Sequence, residues 1–282
     1  MAKHEPGKKQ RQFRKRLRTY RSRRRGRLRR PIPAVAVPSF FTLMNLFSGF
    51  LSITQTMAGN YEQACWLVVL AAFFDVLDGL MARITNSASL FGVELDSLAD
   101  IVSFGLAPSV LVYAYGLSDA GMLGVIASAL PAICGAVRLA RFNVTFDGEK
   151  KEHFSGLPIP TAAAFIIALI LNVEDTQVFH QFSVNNLSLL FPIVIVLGGL
   201  MVSNVPFDAM PNPTPRYIRQ HRLKFGLYLT GLILTIVFQQ IGLLIALTGY
   251  LIQGIGMAFV HFVRAVNAVE DEDSDKPDAE SV

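Results

Sequence analysis

The chain has 282 residues, of which 52% are hydrophobic and only 17% are charged. Soluble globular chains carry about 25% charged residues, so this composition excludes an ordinary water-soluble single domain. The net charge of +5 is unevenly distributed, since residues 1–31 hold fifteen of the 26 Lys and Arg, while Glu270 to Val282 hold seven of the 21 acids. The two cysteines, Cys65 and Cys134, lie in apolar runs, which excludes a disulfide framework or a CxxC metal site.

Residues 1–31 form a basic arm that leads directly into the first apolar run. Such a segment could bind nucleic acid, or it could be an inert solvated tail. Next to a membrane helix, however, anionic lipid headgroups attract each cation by about 1 kcal/mol. We therefore expect the arm to bind anionic membrane lipid, and we expect no nucleic-acid partner.

Apolar segments follow one another through the rest of the chain. A helix needs about 20 predominantly apolar residues to cross a bilayer. Eight segments approach or meet this requirement: 36–58, 62–83, 91–116, 121–142, 158–173, 186–204, 224–240 and 242–264. The sequence therefore predicts an all-α integral membrane domain of about eight transmembrane helices over residues 32–266, with six or seven as the alternatives. The acidic tail, residues 267–282, has a composition typical of disorder.

The positive charges predict the orientation of these helices. Between residues 32 and 269 there are ten Lys and Arg, and all ten fall on the side of the basic arm: Arg83, Arg138, Arg141, Lys150, Lys151, Arg216, Arg219, Arg222, Lys224 and Arg264. The turns on the other side, near residues 60–62, 118–119, 174–175 and 239–240, contain none. Because cytoplasmic loops are rich in Lys and Arg, we expect both termini in the cytoplasm. No apolar run lies within the first 30 residues, so we expect no cleavable signal peptide.

Four aspartates lie inside two neighbouring apolar segments. Asp75 and Asp78 are spaced i, i+3, and Asp96 and Asp100 are spaced i, i+4, so each pair shares one face of its helix. Counted from the polar turn at residues 85–89, the pairs lie at similar depths, near the cytoplasmic side. We expect the four carboxylates to come level in an antiparallel helix pair.

Small residues accompany both pairs of aspartates. Gly79 and Ala82 lie beside the first pair, and Gly92 lies one turn before Asp96. Small residues at such positions allow helix backbones to approach closely in membranes. We therefore expect the two helices to pack against each other here.

Carboxylates inside a membrane are costly and usually functional. Hard divalent cations prefer oxygen ligands, and Mg²⁺ is often shared between carboxylates and substrate phosphates. Four aspartates on two helices suit a two-metal site for displacement at phosphorus. The alternatives are an ion or proton pathway, or helix-end aspartates wetted by water or paired with Arg83.

The spacing of these residues resembles the complete signature of the CDP-alcohol phosphotransferases: Asp75-x2-Asp78-Gly79-x2-Ala82-Arg83-x8-Gly92-x3-Asp96-x3-Asp100. The resemblance implies a membrane-embedded helical bundle that transfers a phosphatidyl-type group from a CDP-linked lipid to an alcohol and releases CMP. It also implies a divalent cofactor, two ions of Mg²⁺ or Mn²⁺, and a homodimer.

The same resemblance implies roles for the motif residues. Asp75, Asp78 and Asp96 would be metal ligands, and Asp100 would be the general base and a further metal contact. The remaining motif residues would line the CDP-lipid pocket: Gly79, Ala82, Arg83 and Gly92.

The first apolar helix is similar to the family as well, through Pro38, Thr42, Asn45 and Gly49. Thr42 and Asn45 would then face the nucleotide. The alternative for both is an ordinary polar contact between helices.

Two further strings, RLARFN at residues 138–143 and FSGLPIP at residues 154–160, are similar to the bacterial membrane-bound phosphatidylserine synthases, a branch of that family. This resemblance implies CDP-diacylglycerol and L-serine as substrates and a site on the cytoplasmic face of the bacterial inner membrane.

Arg138 and Arg141 are the candidates for binding the acceptor. A guanidinium binds a carboxylate or phosphate through two parallel hydrogen bonds, and serine carries a carboxylate that glycerol and inositol lack. The alternative is that both arginines are helix-end cations that set the topology. Pro158 and Pro160 flank a helix start, where proline is favoured for structural reasons.

Two other functions remain open from the residues alone. A sister transferase would use glycerol 3-phosphate or an inositol phosphate, although more basic residues would be expected around a dianionic acceptor. A cation transporter would also place acids in the membrane, but it gives no reason for the spacing of Gly79, Ala82 and Arg83.

Overall fold

The computed structural model describes residues 33–85, 89–145, 153–175, 186–203, 205–208 and 222–274. The basic arm and residues 275–282 lie outside this range. The α-helices are α1 (Pro33–Met57), α2 (Tyr61–Ile84), α3 (Leu90–Asp100), α4 (Ala107–Val112), α5 (Gly121–Thr145), α6 (Ile159–Asp175), α7 (Asn186–Val202) and α8 (Arg222–Ser274). Each of the eight predicted apolar segments overlaps one of these helical regions.

Four stretches of the described residues are helical, long and apolar enough to cross a membrane: Val37–Met57, Tyr61–Ile84, Leu90–Val144 and Val237–Gly256. The third is 55 residues long, more than twice the roughly 20 residues that one crossing requires. It changes direction at Gly121, whose φ is +57°, a conformation that glycine adopts without steric cost. Two shorter apolar helices, Ile159–Val173 and Leu189–Val202, accompany them.

The helical stretch that begins with α3 is not uniform. It changes to a π-helix at Ile101–Leu106, returns to α-helix in α4, and is π-helical again at Tyr113–Leu117. A short 3₁₀ turn, Ser118–Ala120, then leads into α5. Hydrophobic spacing alone predicts one regular helix over residues 91–116, because an i→i+5 turn leaves little trace in the composition. π-Helical turns often occur at functional sites, and the first of these begins directly after Asp100.

Helix α6 lies at the centre of the bundle. Its residues Ala162, Ile166 and Ile170 are at most 1% exposed, and it packs against α2, α5, α7, α8 and the first π-helical turn. Being surrounded by protein rather than lipid, this helix of 17 residues need not match the full bilayer thickness.

Helix α8 contains a sharp reversal at Gln239, where φ is 48° and ψ is −116°. The sequence predicts two helices here, with their junction near residues 239–242. Gly242 is required just after the reversal, because a Cβ at this position would collide with the carbonyl of Leu234. The side chain of Asn172 donates to the carbonyl of Gln240 at 3.0 Å, which attaches the reversal to α6.

The described residues are almost entirely helical, as predicted, apart from one short pair of strands. Two three-residue strands, β1 (His153–Ser155) and β2 (Pro206–Asp208), pair antiparallel with Phe154 opposite Phe207. They follow α5 and α7, whose ends lie on the same side of the bundle, so that backbone donors and acceptors of two connecting segments can satisfy each other. Strands this short leave no period-2 pattern for sequence analysis to detect.

The predicted boundary between the domain and the acidic tail, at residues 266 and 267, lies within a helix. Helix α8 continues to Ser274. Once a long helix exists, adding residues costs little, and the first proline after residue 222 is Pro277. Proline disfavours helical conformation in the residue before it, which is consistent with an end near this point.

Candidate active site

Helix α1 is the element on which the site is assembled. Both α2 and α3 pack along it, and a row of polar side chains on α1 is buried: Thr42, Asn45, Ser48, Ser52 and Thr56. Their spacing of three or four residues places them on one helix face. That face is therefore directed toward the helices that carry the aspartates.

The four aspartates come together as the spacing predicts. Single carboxylate oxygens of Asp75, Asp78 and Asp96 lie within 4.8 Å of one another. Asp100, 9% exposed, lies close enough to Asp75 for their carboxyl groups to form a hydrogen bond. Two helices thus contribute one compact acidic group within the membrane-spanning region.

These residues fit a divalent cation. One oxygen of Asp78 and one of Asp96 are buried and have no hydrogen-bond partner among the described residues. Buried acceptors without partners are rare and costly, and several carboxylates in close proximity repel one another. A hard cation with oxygen ligands would remove both costs at once.

The two helices do not pack closely at their glycines, contrary to the sequence-based expectation. A Cβ placed on Gly79 would meet nothing within 4 Å, and one on Gly92 would meet only the hydroxyl of Ser89, at 3.2 Å. Ser89 is the N-cap of α3 and accepts a hydrogen bond from the Gly92 amide at 3.0 Å. Because α1 supports both helices, the small residues leave open space beside the acids instead of a helix contact.

The other residues expected at the nucleotide lie around this space. Thr42 is 3% exposed; its hydroxyl donates to the carbonyl of Pro38 at 3.1 Å, and its side chain lies beside Asp78. Ala82 is half-buried, and Arg83 is exposed in the last turn of α2. Arg83 therefore borders the opening between α2 and α3, at the end next to the polar turn of residues 85–89.

Asn45, which the sequence predicts at the nucleotide, has a buried Oδ1 without a hydrogen-bond partner among the described residues. Its Nδ2 donates to Oδ1 of Asp100 at 3.3 Å. Its backbone carbonyl accepts a hydrogen bond from the hydroxyl of Ser103 at 2.9 Å. Asn45 and Ser103 are both completely buried.

Arg138 of α5 lies near Asp100. It is only 8% exposed, and it is near enough to interact electrostatically with Asp100 and with Tyr250 of α8. Its Nε is buried without a hydrogen-bond partner among the described residues. A buried cation beside an acidic group, with a donor still available, is suited to binding an anionic part of a substrate.

Arg141, one turn further along α5, is used in another way. Its Nη1 donates to the carbonyl of Val202 at 3.1 Å and its Nη2 to that of Ser203 at 3.2 Å. These carbonyls belong to the end of α7, where helical acceptors lack intrahelical partners. The contact caps α7 and attaches it to α5.

The two strings that follow the motif are largely architectural in this structure. Asn143 donates to the hydroxyl of Ser97 at 3.0 Å and so joins α5 to α3. Gly156 has a φ of +83°, and a Cβ there would collide with the carbonyl of Met201. Its amide donates to Val205 at 2.9 Å. These contacts hold the connection before α6 against the end of α7.

Sequence analysis did not identify Ser103 and Tyr250 as neighbours of the site. Ser103 follows Asp100 by three residues, so helical spacing could have indicated it. Tyr250 lies 150 residues further along the chain, and no local pattern connects it with Asp100. Its ring packs near Phe207 of β2, with centroids 5.7 Å apart.

Comparison with known proteins agrees with this geometry. The CDP-alcohol phosphatidyltransferase family profile matches residues 35–202, more than half of the chain. The chain is 38% identical over 223 residues to the CDP-diacylglycerol–serine O-phosphatidyltransferase of Helicobacter pylori, covering 79% of this chain and 91% of that protein. It is 33% identical over 176 residues to the enzyme of the same name from Bacillus subtilis, covering 61% and 89%.

An archaeal relative is similar over a shorter length. The archaetidylserine synthase of Methanothermobacter thermautotrophicus is 38% identical over 175 residues, which covers 61% of this chain and 70% of that protein. The matched region of the family profile runs from the third residue of α1 to the end of α7 and contains all four aspartates. The chain belongs to the CDP-alcohol phosphatidyltransferase family.

Proposed function

We propose that this protein transfers the phosphatidyl group of CDP-diacylglycerol to the hydroxyl of L-serine, giving phosphatidylserine and CMP. The observation that carries the proposal is the partly buried group of Asp75, Asp78, Asp96 and Asp100, with Arg138 beside it. Family membership supports the reaction class. The names of the relatives from Helicobacter pylori and Bacillus subtilis support serine as the acceptor.

Asp75, Asp78 and Asp96 would hold divalent metal, Mg²⁺ or Mn²⁺, with Asp100 contributing to a second ion. When bound, the metal neutralises the charge of the pyrophosphate, since electrostatics and positioning dominate transfers of this type. The partnerless oxygens of Asp78 and Asp96 support this assignment.

Asp100 would be the general base. The serine hydroxyl oxygen attacks the lipid-side phosphorus, its proton passes to a carboxylate oxygen of Asp100, and the bond from that phosphorus to the CMP oxygen breaks. The hydrogen bond from Asn45 uses one acceptor site on Oδ1 of Asp100, and a carboxylate has further lone pairs that could accept the proton. Direct attack needs base and nucleophile within hydrogen-bond distance.

The nucleotide would occupy the open space beside Gly79 and Gly92. Thr42 would border it from α1, and Ala82 and Arg83 from the end of α2. A side chain at either glycine would enter this space, because neither position now contacts the neighbouring helix. Arg83 would offer its charge to the phosphates from the exposed end.

Arg138 would bind the serine carboxylate. Among the described arginines it is the buried one with an available donor, and it lies near Asp100. Serine held by its carboxylate at Arg138 would present its hydroxyl toward the base. Arg141 is occupied by the carbonyls of α7 and would support Arg138 indirectly.

The protein would lie in the bacterial inner membrane with both termini and the active site on the cytoplasmic side, as a homodimer. The distribution of Lys and Arg supports the orientation. The basic arm would bind anionic lipid at the same surface.

A screen of acceptors tests the proposed function. Purified protein is given CDP-diacylglycerol and Mg²⁺ or Mn²⁺ with L-serine, glycerol 3-phosphate, inositol or inositol phosphate, and CMP and the lipid product are measured. We expect serine to be the one acceptor of this set that gives product, with CMP and phosphatidylserine formed in equal amounts. CMP release with another acceptor but not serine would contradict the substrate, and ion flux without CMP release would contradict the reaction class.

A further inference from the structure

Asn45 and Asp100 are joined by a hydrogen bond between two buried side chains that are 55 residues apart in the sequence. An ionised carboxylate can only accept hydrogen bonds. The amide of Asn45 must therefore direct its nitrogen toward Asp100, since the opposite orientation would place two acceptor oxygens together. The contact favours one orientation of the Asp100 carboxylate.

Asn45 is itself held from the same helical stretch that carries Asp100. Ser103, in the π-helical turn directly after Asp100, donates its hydroxyl to the backbone carbonyl of Asn45 at 2.9 Å. Asn45 and Asp100 are thus connected twice, once through side chains and once through Ser103. All three groups are buried, and Asn45 and Ser103 have no exposed surface at all.

The backbone geometry around this contact leaves little freedom. A Cβ on Gly49, one turn after Asn45, would collide with the hydroxyl of Ser103 and approach its Cα to 2.7 Å. Helix α1 and the π-helical turn are therefore in direct backbone contact. Close contact through a glycine restricts how far α1 can move relative to Asp100.

We propose that Asn45 is a positioning residue for Asp100, and that Ser103 keeps Asn45 in place through its hydrogen bond to the backbone of α1. The proposal rests on the proposed function, in which Asp100 accepts the proton of the acceptor hydroxyl. It differs from a nucleotide-binding role for Asn45, because it predicts an effect on the chemical step rather than on the affinity for CDP-diacylglycerol.

The test compares two buried serines that make the same kind of bond. Ser103 donates to Asn45 at 2.9 Å, and Ser52 donates to the carbonyl of Ala64 at 2.9 Å, joining α1 to α2 without contacting the acidic group. Ser103→Ala and Ser52→Ala each remove one hydroxyl between helices. The difference in kcat between the two variants measures the effect of the bond to Asn45, because both variants lose a buried hydrogen bond of the same kind.

Initial rates of CMP release are measured with the purified full-length chain at varied serine, CDP-diacylglycerol and metal concentrations. We expect Ser103→Ala to lower kcat about two- to tenfold, the effect of one neutral hydrogen bond. The KM for CDP-diacylglycerol and the half-saturating metal concentration should stay unchanged. Ser52→Ala should retain the wild-type kcat.

Asn45→Ala should lower kcat about ten- to a hundredfold, since a hydrogen bond to a charged group is stronger. If Ser103 acts through Asn45, then adding Ser103→Ala to Asn45→Ala should cause no further loss, because contacting residues are not additive. Asn45→Asp should be at least as impaired as Asn45→Ala, since it keeps the shape but cannot donate to Asp100.

The positioning role would be overturned if Ser103→Ala behaved like Ser52→Ala, or if the losses at Asn45 and Ser103 multiplied. A raised KM for CDP-diacylglycerol with normal kcat in Asn45→Ala would instead assign Asn45 to the nucleotide. If Asn45→Ala does not fold, the kcat values of Ser103→Ala and Ser52→Ala alone decide whether the positioning role holds. Failure of the proposed function is distinguishable, because the wild-type chain would then release no CMP with serine.

Discussion

Nη1 of Arg141 donates to the carbonyl oxygen of Val202 at 3.1 Å, and Nη2 donates to the adjacent carbonyl of Ser203. In this contact between α5 and the end of α7, both terminal nitrogens of the guanidinium donate to backbone carbonyls. Arg138, one turn earlier on the same helix, has a buried Nε without a partner among the described residues. Two arginines that the sequence presents as equivalent candidates are therefore expected to have different functions.

Replacing Arg138 with Ala should raise the KM for serine and change that for CDP-diacylglycerol much less. Loss of a charged hydrogen bond costs about 1.5–3 kcal/mol, and each 1.4 kcal/mol is about tenfold in affinity. We therefore expect KM for serine to rise about ten- to a hundredfold in steady-state assays. Arg138→Lys should raise the KM for serine less than Arg138→Ala does, because Lys keeps the charge but lacks the planar guanidinium.

Arg141→Ala is the matched comparison. It should lower the thermal unfolding temperature of the purified protein, because the last carbonyls of α7 lose their partners, while the KM for serine changes less than in Arg138→Ala. Serine methyl ester, which has no carboxylate, should lose little further activity in Arg138→Ala. Equal losses for serine and its ester would show that Arg138 does not bind the carboxylate.

Replacing Asp78 with Asn should abolish turnover and weaken divalent-metal binding, and Asp75→Asn should do the same. Each change removes an anionic oxygen from the acidic group and keeps its size. Metal affinity can be measured by calorimetric titration, and turnover by CMP release across metal concentrations. Glu94→Gln, at an exposed position of α3, should keep both properties. Normal activity of Asp78→Asn at limiting metal would remove the metal assignment.

The orientation of the helices can be measured by cysteine labelling in whole cells. In a background without Cys65 and Cys134, single cysteines near Asn60, Ser118 and Asp175 should react with an impermeant thiol reagent from outside. Cysteines near Ser87, Lys150 and Arg219 should react only after the membrane is opened. The opposite pattern would contradict both the charge argument and a cytoplasmic active site.

Gly254 allows α8 to pack against β2. A Cβ on Gly254 would collide with the ring of Phe207, whereas one on Gly256 would meet nothing within 4 Å. We expect Gly254→Ala to destabilise the protein by about 1–3 kcal/mol, as overpacking generally does. Gly256→Ala should be neutral or slightly stabilising, since Ala favours helix over Gly.

Thermal unfolding in detergent, followed by circular dichroism, measures both glycine variants under the same conditions. An unfolding temperature for Gly254→Ala at or above that of Gly256→Ala would show that α8 does not pack on Phe207 as the structure has it.

The amino-acid sequence by itself determined the properties that depend on local periodicity and composition. The lengths of the apolar runs specified where helices form, because a bilayer demands about 20 apolar residues per crossing. The i, i+3 and i, i+4 spacings place Asp75 and Asp78 on one face of their helix, and Asp96 and Asp100 on one face of theirs, because helix geometry is the same in every context. Those two facts were enough to predict one acidic group from two helices.

Tertiary structure decided which partners each side chain meets. The bond from Asn45 to Asp100, the capping of α7 by Arg141, and the approach of Tyr250 to Arg138 all join residues distant in the chain. Open space beside Gly79 depends on α1 lying against both α2 and α3. A pattern within one helix specifies which face is polar, but the distance and rotation between helices depend on packing over the whole bundle. Only the folded bundle could therefore give Arg138 and Arg141 different contacts and bring Asn45 to Asp100.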